Sequence, residues 1–477
     1  MADNIDKALD LGGKPELEIL KKETEVVVDG QRVPAPEGLE IEMDEDGGAT
    51  LDFDPREALP EIEFYSNLAE VIDDRDLAEL SDELMGDFES DKSSRKEWED
   101  AYIKGLGLLG IKYEERTNPF RGASSATHPL LAESATQFQA TAFKELLPAG
   151  GPVRTVIMGD ETPEKYARAG RVQEFMNFQL MNKMEDYTPE YDQMLFYLPL
   201  AGSTFKKVYY DELMERPVSK FVPAEDLVVN YLSTDLDNCE RICHVINMSY
   251  NDFRKKQVSG FYKDVDILPQ EAEENDVQKK YNELQGTKPS YADKVVRLYE
   301  FHTSIDLKDF EDKDDSGEMT GIKIPYIVTV EEGSSQVVGI RRNYEKDDPK
   351  KMKKQYFVQY KFLPGLGFYG FGLIHLIGGL SRTATDILRQ LLDAGTLSNL
   401  PAGFKSRGIR MRDDADPLQP GEFRDIDAPN GDLRNSFMPL PYKEPSQTLY
   451  SLLGFVVQAG QRFASIADMQ VGDANQN

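Results

Sequence analysis

The chain has 477 residues, 40% of them apolar, and carries a formal net charge of −31 with a pI near 4.6. That length and apolar content suit two to four modules with real cores and exclude a chain disordered throughout. The acidic balance excludes a general grip on nucleic acid, which needs surplus Lys and Arg, but an acidic wall with few basic residues still lets DNA slide past.

Residues 1 to about 60 mix many Asp and Glu with Gly and Pro at little periodicity, and are expected to form a flexible or loosely docked arm. Leu68 to Phe88 and Arg95 to Lys104, the latter around the single Trp98, read as helices packed on the main body. Asn118 to His128 (NPFRGASSATH) reads as a surface loop in which Arg121 is placed to meet an acidic neighbour. Helical spacing resumes from Pro129 to Leu147 through Leu130, Leu131, Ala135, Phe138, Ala142 and Leu146. Thr162, Pro163 and Glu164 signal another helix start. Its stripe of Tyr166, Ala169, Val172, Phe175, Met176 and Leu180 is expected in the core. Thr188 and Pro189 begin a shorter helix to Leu200.

After Gly202 the pattern turns to short strands: Thr204 to Tyr210, Val218 to Val222, Leu227 to Tyr231 and Ile242 to Met248. Ser249 with Asp252 caps a helix into Lys256, and charged sequence from Gln270 to Lys288 leads to a second β group. Its strands are Val295 to Phe301, Ile324 to Val330, Val337 to Ile340 and Tyr356 to Phe362. The intervening loops, Asp306 to Glu318 and Arg341 to Lys354, are charged and read as solvated tips or partner contacts. The fold class expected from this order is α+β, with antiparallel sheet on a helical layer.

Only two cysteines occur, Cys239 and Cys243, so a disulfide framework is not expected and a reducing compartment is. His128, His302 and His375 are scattered, which leaves no four-ligand zinc pattern, and no metal or other cofactor is expected. The polar, acidic start and the lack of an 18-residue apolar run predict neither signal peptide nor membrane span, hence an intracellular protein where it is made.

The richest stretch runs from Tyr356 to Ala402. An aromatic strand passes through Pro364, Gly365, Gly367, Gly370 and Gly372 into a helix expected from about Phe371 to Leu400 and closed by Pro401 and Gly403. Leu373, Leu376, Ile377, Leu380, Ala384, Ile387, Leu388, Leu391, Leu392 and Leu397 form its apolar stripe. Ser381, Arg382, Thr385, Asp386, Arg389, Gln390 and Asp393 form a polar face expected to point outward, to neighbours or a channel. Gly365, Gly367 and Gly370 also spell GxGxxG, and Asp386 lies near the acidic distance of a dinucleotide site. Asp386 falls inside the helix pattern with no strand before it, so the match is by count alone. The competing reading is that these glycines are a hinge, letting a bulky aromatic corner turn tightly.

The order of elements, with the strings VPAEDLVVNYLSTDLD (Val222 to Asp237) and FLPGLGFYGFG running into LLDAGTLSNLPAGF, resembles the portal proteins of short-tailed bacteriophages over roughly residues 95 to 472. Portal proteins form a ring, typically of twelve subunits, at one capsid vertex, where DNA enters and leaves. The resemblance implies an acidic N-terminal arm with helices at 1–94, a wing of helices and antiparallel sheet at 95–249, and a stem-side helix and linker at 250–294. It further implies a clip-like β region at 295–362, a long stem helix at 363–402, and a channel loop with a returning wing helix at 403–477. Ser446 to Met469, with Leu449, Leu452, Leu453, Val456, Ala459 and Phe463, is that returning helix. Arg389, Lys405, Arg407, Arg410 and Arg412 become DNA-channel candidates, although the last four also suffice to neutralise Asp413, Asp414 and Asp416. Asp312, Asp314, Asp315, Arg341 and Arg342 become adaptor-docking candidates. The implied partners are further copies of the chain, double-stranded DNA, the large terminase, adaptor and tail proteins, the major capsid protein and scaffold, with no membrane. The implied location is the capsid portal vertex of the virion, after assembly in the host cytoplasm. The polar tail after Gly472 departs from relatives that carry a helical crown or barrel.

No GxSxG, HExxH or Walker pattern with its Lys occurs, so a non-enzymatic role is expected. The alternatives are a nucleotide-dependent enzyme using Gly365 to Gly370, and an acidic protein-binding adaptor.

Overall fold

A computed structural model describes residues 63–399, less 113–114, 212–213, 268–269, 272–273, 289–293 and 314–317, together with 437–472 and the backbone of short strands within 25–52 and 403–427. It is a mixed α+β protein, 46% helical and 19% strand. Two compact units divide at Val71. The first contains two antiparallel hairpins, β1 (Glu25–Val28) with β2 (Gln31–Pro34) and β3 (Glu40–Met43) with β4 (Ala49–Asp52). The sequence between β1 and β2 is Asp29-Gly30, the dipeptide that two-residue hairpin loops favour.

The second unit begins with α1 (Asp74–Ser94), capped by Asp73 through Arg75 N at 2.9 Å. This helix lies in the second unit and packs on it, as expected of Leu68 to Phe88. Arg241 binds Asp91 at 2.9 Å and also Asp87, and Ser81 Oγ donates to Ser335 O at 2.6 Å. Then come α2 (Lys96–Leu106), α3 (Leu130–Leu146), α4 (Pro163–Phe178) and α5 (Tyr187–Ala201). Thr162 caps α4 and accepts from Lys165 N, as its sequence signal predicts.

Among the described residues all strand pairs are antiparallel. β5 (Ser203–Asp211) and β6 (Arg216–Val222) form a three-stranded sheet with β13 (Phe357–Lys361), in the order β13-β5-β6. β7 (Leu227–Val229), β8 (Arg241–Ser249), β10 (Lys294–Ile305), β11 (Ile324–Glu331) and β12 (Val337–Arg342) form the larger sheet, with β9 (Gln270–Glu271) beside β10. The two β groups of the sequence thus share both sheets: β8 pairs with β10 from Ser249↔Val295 to Arg241↔Thr303, and β13 returns to β5. Neither sheet is confined to residues 295–362. In sequence between β8 and β10 lie α6 (Tyr250–Val258), capped by Ser249, and α7 (Asp276–Gln285), a helix inside a stretch expected to be charged linker.

The long helix α8 runs Leu373–Asn399, and α9 runs Gln447–Gly472. Leu373, Ile374 and Ile377 join Tyr102, Leu106, Leu130, Leu131 and Leu200 in the main helical core. Ala384 and Ile387 pack with Val456, flanked by Leu380, Leu391, Leu449 and Leu453, along the α8–α9 seam. Each fully buried aliphatic side chain contributes about 1.5–3 kcal/mol. Gly460 lets α9 approach closely, since a Cβ there would stand 2.5 Å from Leu130 Cδ2.

One expectation about the core fails. The stripe of α4 is on the surface, with Tyr166, Val172, Phe175 and Met176 all exposed, and the helix has no buried residue. Periodicity identifies an apolar face, but whether anything covers it is a tertiary matter.

Candidate functional site at the glycine corner and the long helix

From β13 the chain turns through residues 362–372 and enters α8. Phe362 N donates to Gly202 O at 3.0 Å, Phe371 N to Leu363 O at 3.0 Å, and Gly370 N to Ser203 Oγ at 2.7 Å. The corner therefore lies against the end of α5, where Gly202 adopts φ +84 and closes the helix by donating to Leu198 O. A Cβ on Gly370 would meet Gly202 O at 2.5 Å and Leu363 O at 2.6 Å. On Gly372 it would meet Gly202 N and Pro199 O at 2.7 Å, with Leu200 O nearer still. Gly365 is closed by Tyr369 O, whereas Gly367 has open space around it. Three of the four hinge glycines are thus required by close backbone approach, and Gly367 is not.

Side chains lock the turn. Tyr369 stacks on Trp98 at 4.9 Å, Trp98 stacks on Tyr102 at 5.7 Å, and Phe368 stacks on Phe205 at 5.8 Å. Beneath Tyr369 lies the buried guanidinium of Arg95. Its Nη1 donates to Ala224 O at 2.8 Å, Leu227 O at 2.7 Å and the Tyr369 hydroxyl at 2.9 Å; its Nη2 donates to Glu225 O at 2.5 Å and pairs with Glu99 at 2.9 Å. A charge so buried is tolerable because both terminal nitrogens are paired, although Nε has no partner among the described residues. Nothing in the local sequence sets this arginine apart, since its acceptors are backbone carbonyls some 130 residues away. Next to it, burial pushes the Glu225 carboxyl up to about 7 and Asp226 up to about 6. Glu225 Oε2 has no hydrogen-bond partner among the described residues.

The corner is not built as a phosphate cradle. The amide of Gly370 donates to Ser203 Oγ in β5 and that of Phe371 to Leu363 O in the turn, Gly372 N donates to His375 Nδ1 at 3.1 Å, and the strand leading in lies in an antiparallel sheet. A dinucleotide site needs free amides at a helix start that follows a parallel strand.

The polar face of α8 is not simply outward. Ser381, Thr385 and Asp393 are buried, while Arg382, Asp386 and Gln390 are exposed. The buried side receives the loop at 118–128: Asp393 Oδ1 accepts from Ser124 N at 2.6 Å, Thr385 Oγ1 accepts from His128 N at 3.1 Å, and Arg389 Nε donates to Ala126 O at 2.8 Å. Arg389 Nη2 also reaches Thr127 Oγ1 at 3.2 Å. Arg389 therefore anchors the loop to α8. Arg121 is exposed and makes no ion pair among the described residues.

Of the other channel candidates, Lys405 lies in β14 (Gly403–Lys405) and Arg410 in β15 (Arg410–Met411). These strands pair with β17 (Phe437–Pro439) and β16 (Ile426–Asp427), respectively. The side chains of Lys405 and Arg410, and the whole of Arg407 and Arg412, lie outside the described residues, as do Asp314 and Asp315. The remaining docking candidates are engaged within the chain. Asp312 accepts from Thr320 Oγ1 at 2.6 Å and pairs with Lys351, whose hydrogen bond holds its carboxyl below the usual range. Arg341 stacks at 4.2 Å on Phe261 and donates to its carbonyl at 3.0 Å, and Arg342 lies 5.5 Å from the Phe310 ring.

Cys239 and Cys243 are both free thiols and buried. Among the described residues no helix is long and apolar enough to cross a membrane, and no cluster of three His, Cys, Asp or Glu is arranged to hold a metal ion. No protein-family model matches the sequence, and no curated protein matches it.

Proposed function

We propose that the chain is one subunit of a portal ring, the conduit at one capsid vertex through which double-stranded DNA is packaged and ejected. The observation that carries this reading is a rigidly anchored strut beside apolar surface that the chain itself leaves uncovered. Helix α8 is held at its start by the glycine corner and along its polar side by the loop at 118–128, and it shares a seam with α9. The outer side of α9 exposes Leu452, Phe455 and Phe463. Copies related by rotation cover such faces and close a ring through heterologous contacts. The charge of −31 suits a channel wall that DNA passes without being held. The two strings that carry the resemblance coincide with structural features: Val222 to Asp237 supplies the carbonyls around Arg95, and Phe368 to Gly403 forms the end of the corner and the whole of α8.

On this reading the partners are further copies, DNA, the large terminase, adaptor and tail proteins, and the capsid protein with its scaffold, in a virion. The nucleotide-enzyme alternative is disfavoured by the occupied corner amides. Mass photometry of the purified full chain tests the proposal: it predicts a species many times the 53.9 kDa subunit mass. A persistent monomer under all assembly conditions overturns it.

A further inference from the structure

Helix α4 is held in place without being covered. The segment before it runs alongside, with Val153 N donating to Asn177 Oδ1 at 2.9 Å and Thr155 Oγ1 to Ala169 O at 3.2 Å. Gly151, at φ +89, permits the close approach, since any Cβ there would collide with the Asn177 side chain. Beyond α4 the chain continues through a single π turn, Gln179–Lys183, to the buried Met184. Yet no residue of α4 is buried, and the surface it forms with its neighbouring segment exposes Val156 (86%), Met158 (91%), Val172, Phe175 and Met176. A helix of 16 residues is marginal in water without a packed face, and this many large apolar side chains left exposed along a helix and the segment beside it mark an interaction surface.

Its charge indicates what covers it. Residues 151–183 carry five Lys and Arg against four Asp and Glu, in a chain whose net charge is −31. Arg154, Arg168 and Arg171 are exposed among the apolar residues and have no hydrogen bond or ion pair within the described residues. An arginine-bearing apolar face is complementary in charge to a chain this acidic. It is poorly complementary to itself, because a two-fold contact through α4 brings Arg168 and Arg171 toward their own copies.

We infer that the exposed face of α4, with the segment at 153–158, is a heterologous contact that docks on an acidic, apolar surface of a second copy of this chain. The inference rests on the ring reading and adds to it the surface through which neighbours hold. Arg168 and Arg171 find carboxylate partners across the contact, and Phe175, Met176 and Met158 lose their water there.

The test compares the full-length wild type with Arg168→Glu/Arg171→Glu, with Phe175→Ser/Met176→Ser, and with Arg154→Glu, which lies outside the helix. Mass photometry reads assembly, while far-UV circular dichroism and thermal melting read the fold. The expected result is wild type assembling beyond a dimer and all three variants losing at least about tenfold in assembly constant. Dichroism and melting of the monomer stay unchanged, since every substituted side chain is exposed and none is hydrogen-bonded within the described residues. Variants that assemble as wild type does overturn the α4 assignment and leave the ring reading standing. A wild type that stops at a dimer overturns the heterologous contact, and a wild type that stays monomeric overturns the ring reading itself.

Discussion

Replacing Gly372 by alanine puts one methyl group into a space bounded entirely by backbone. The new Cβ would stand 2.7 Å from Gly202 N and Pro199 O and closer still to Leu200 O, where real contacts are about 3.4 Å or more. None of these atoms is the end of a flexible side chain. Relief requires α5 and the start of α8 to separate, which disturbs Leu200, Ala201, Leu373 and Ile374 in the main helical core. Overpacking at well-packed sites costs about 1–3 kcal/mol, and a purely backbone boundary sets this case at or above the upper end, at least about 3 kcal/mol. Gly367→Ala is the internal control, because nothing lies within 4 Å of its new methyl. It is expected to be neutral or to stabilise by about 0.4–1 kcal/mol through the unfolded chain. The assay is urea unfolding followed by far-UV dichroism together with fluorescence of Trp98. This single tryptophan stacks on Tyr369 and so reports on the corner directly. Equal stabilities for Gly372→Ala and wild type would refute the close-approach argument, as would equal damage from Gly367→Ala.

Two further outcomes are expected. Asp393→Ala leaves the Ser124 amide without its acceptor, a loss of about 1–3 kcal/mol, and hydrogen exchange at 123–128 should accelerate while the amides of α8 remain protected; an unchanged loop would show that Asp393 does not hold it. Glu225 and Asp226 have folded-state values raised by burial, to about 7 and about 6, so the folded protein keeps protons that the unfolded chain has released. Their effect is therefore stability that rises as pH falls from 8 toward 5 and is lost as pH climbs through about 7, with Glu225 supplying on the order of 3 kcal/mol. Relaxation of the acidic surface acts in the same direction, so the comparison is with Glu225→Gln: its urea midpoint should vary less between pH 5.5 and 8 than that of wild type, and parallel curves would remove Glu225 from the account.

Local signals were the most legible part of this chain. The Thr162 and Ser249 caps, the β segments after Gly202 and the stripe of α8 are each written in fewer than thirty consecutive residues, and the elements observed begin and end within a few residues of those signals. The hinge role of Gly365, Gly370 and Gly372 was legible as a type of residue, but the reason for it was not. What forbids a side chain there is the backbone at 199–202 and the turn's own carbonyls, and the spacing of the glycines says nothing about the former. Likewise Arg389 and Asp393 read as an outward polar face because polar residues on a helix usually are one. Here they are satisfied by backbone groups of a loop more than 260 residues earlier.

By itself the sequence determined where most helices and strands of the second unit form, α7 being missed, which face of each is apolar, that the body is α+β, and that the chain is strongly acidic. These properties follow from spacing, capping and composition, all of them short-range or additive. Only the tertiary structure decided that β8 pairs with β10 and β13 with β5, that Arg95 serves carbonyls around the corner, and that the apolar stripe of α4 is left bare. Pairing and burial depend on which surfaces meet, and an amphipathic pattern specifies a face without specifying its partner.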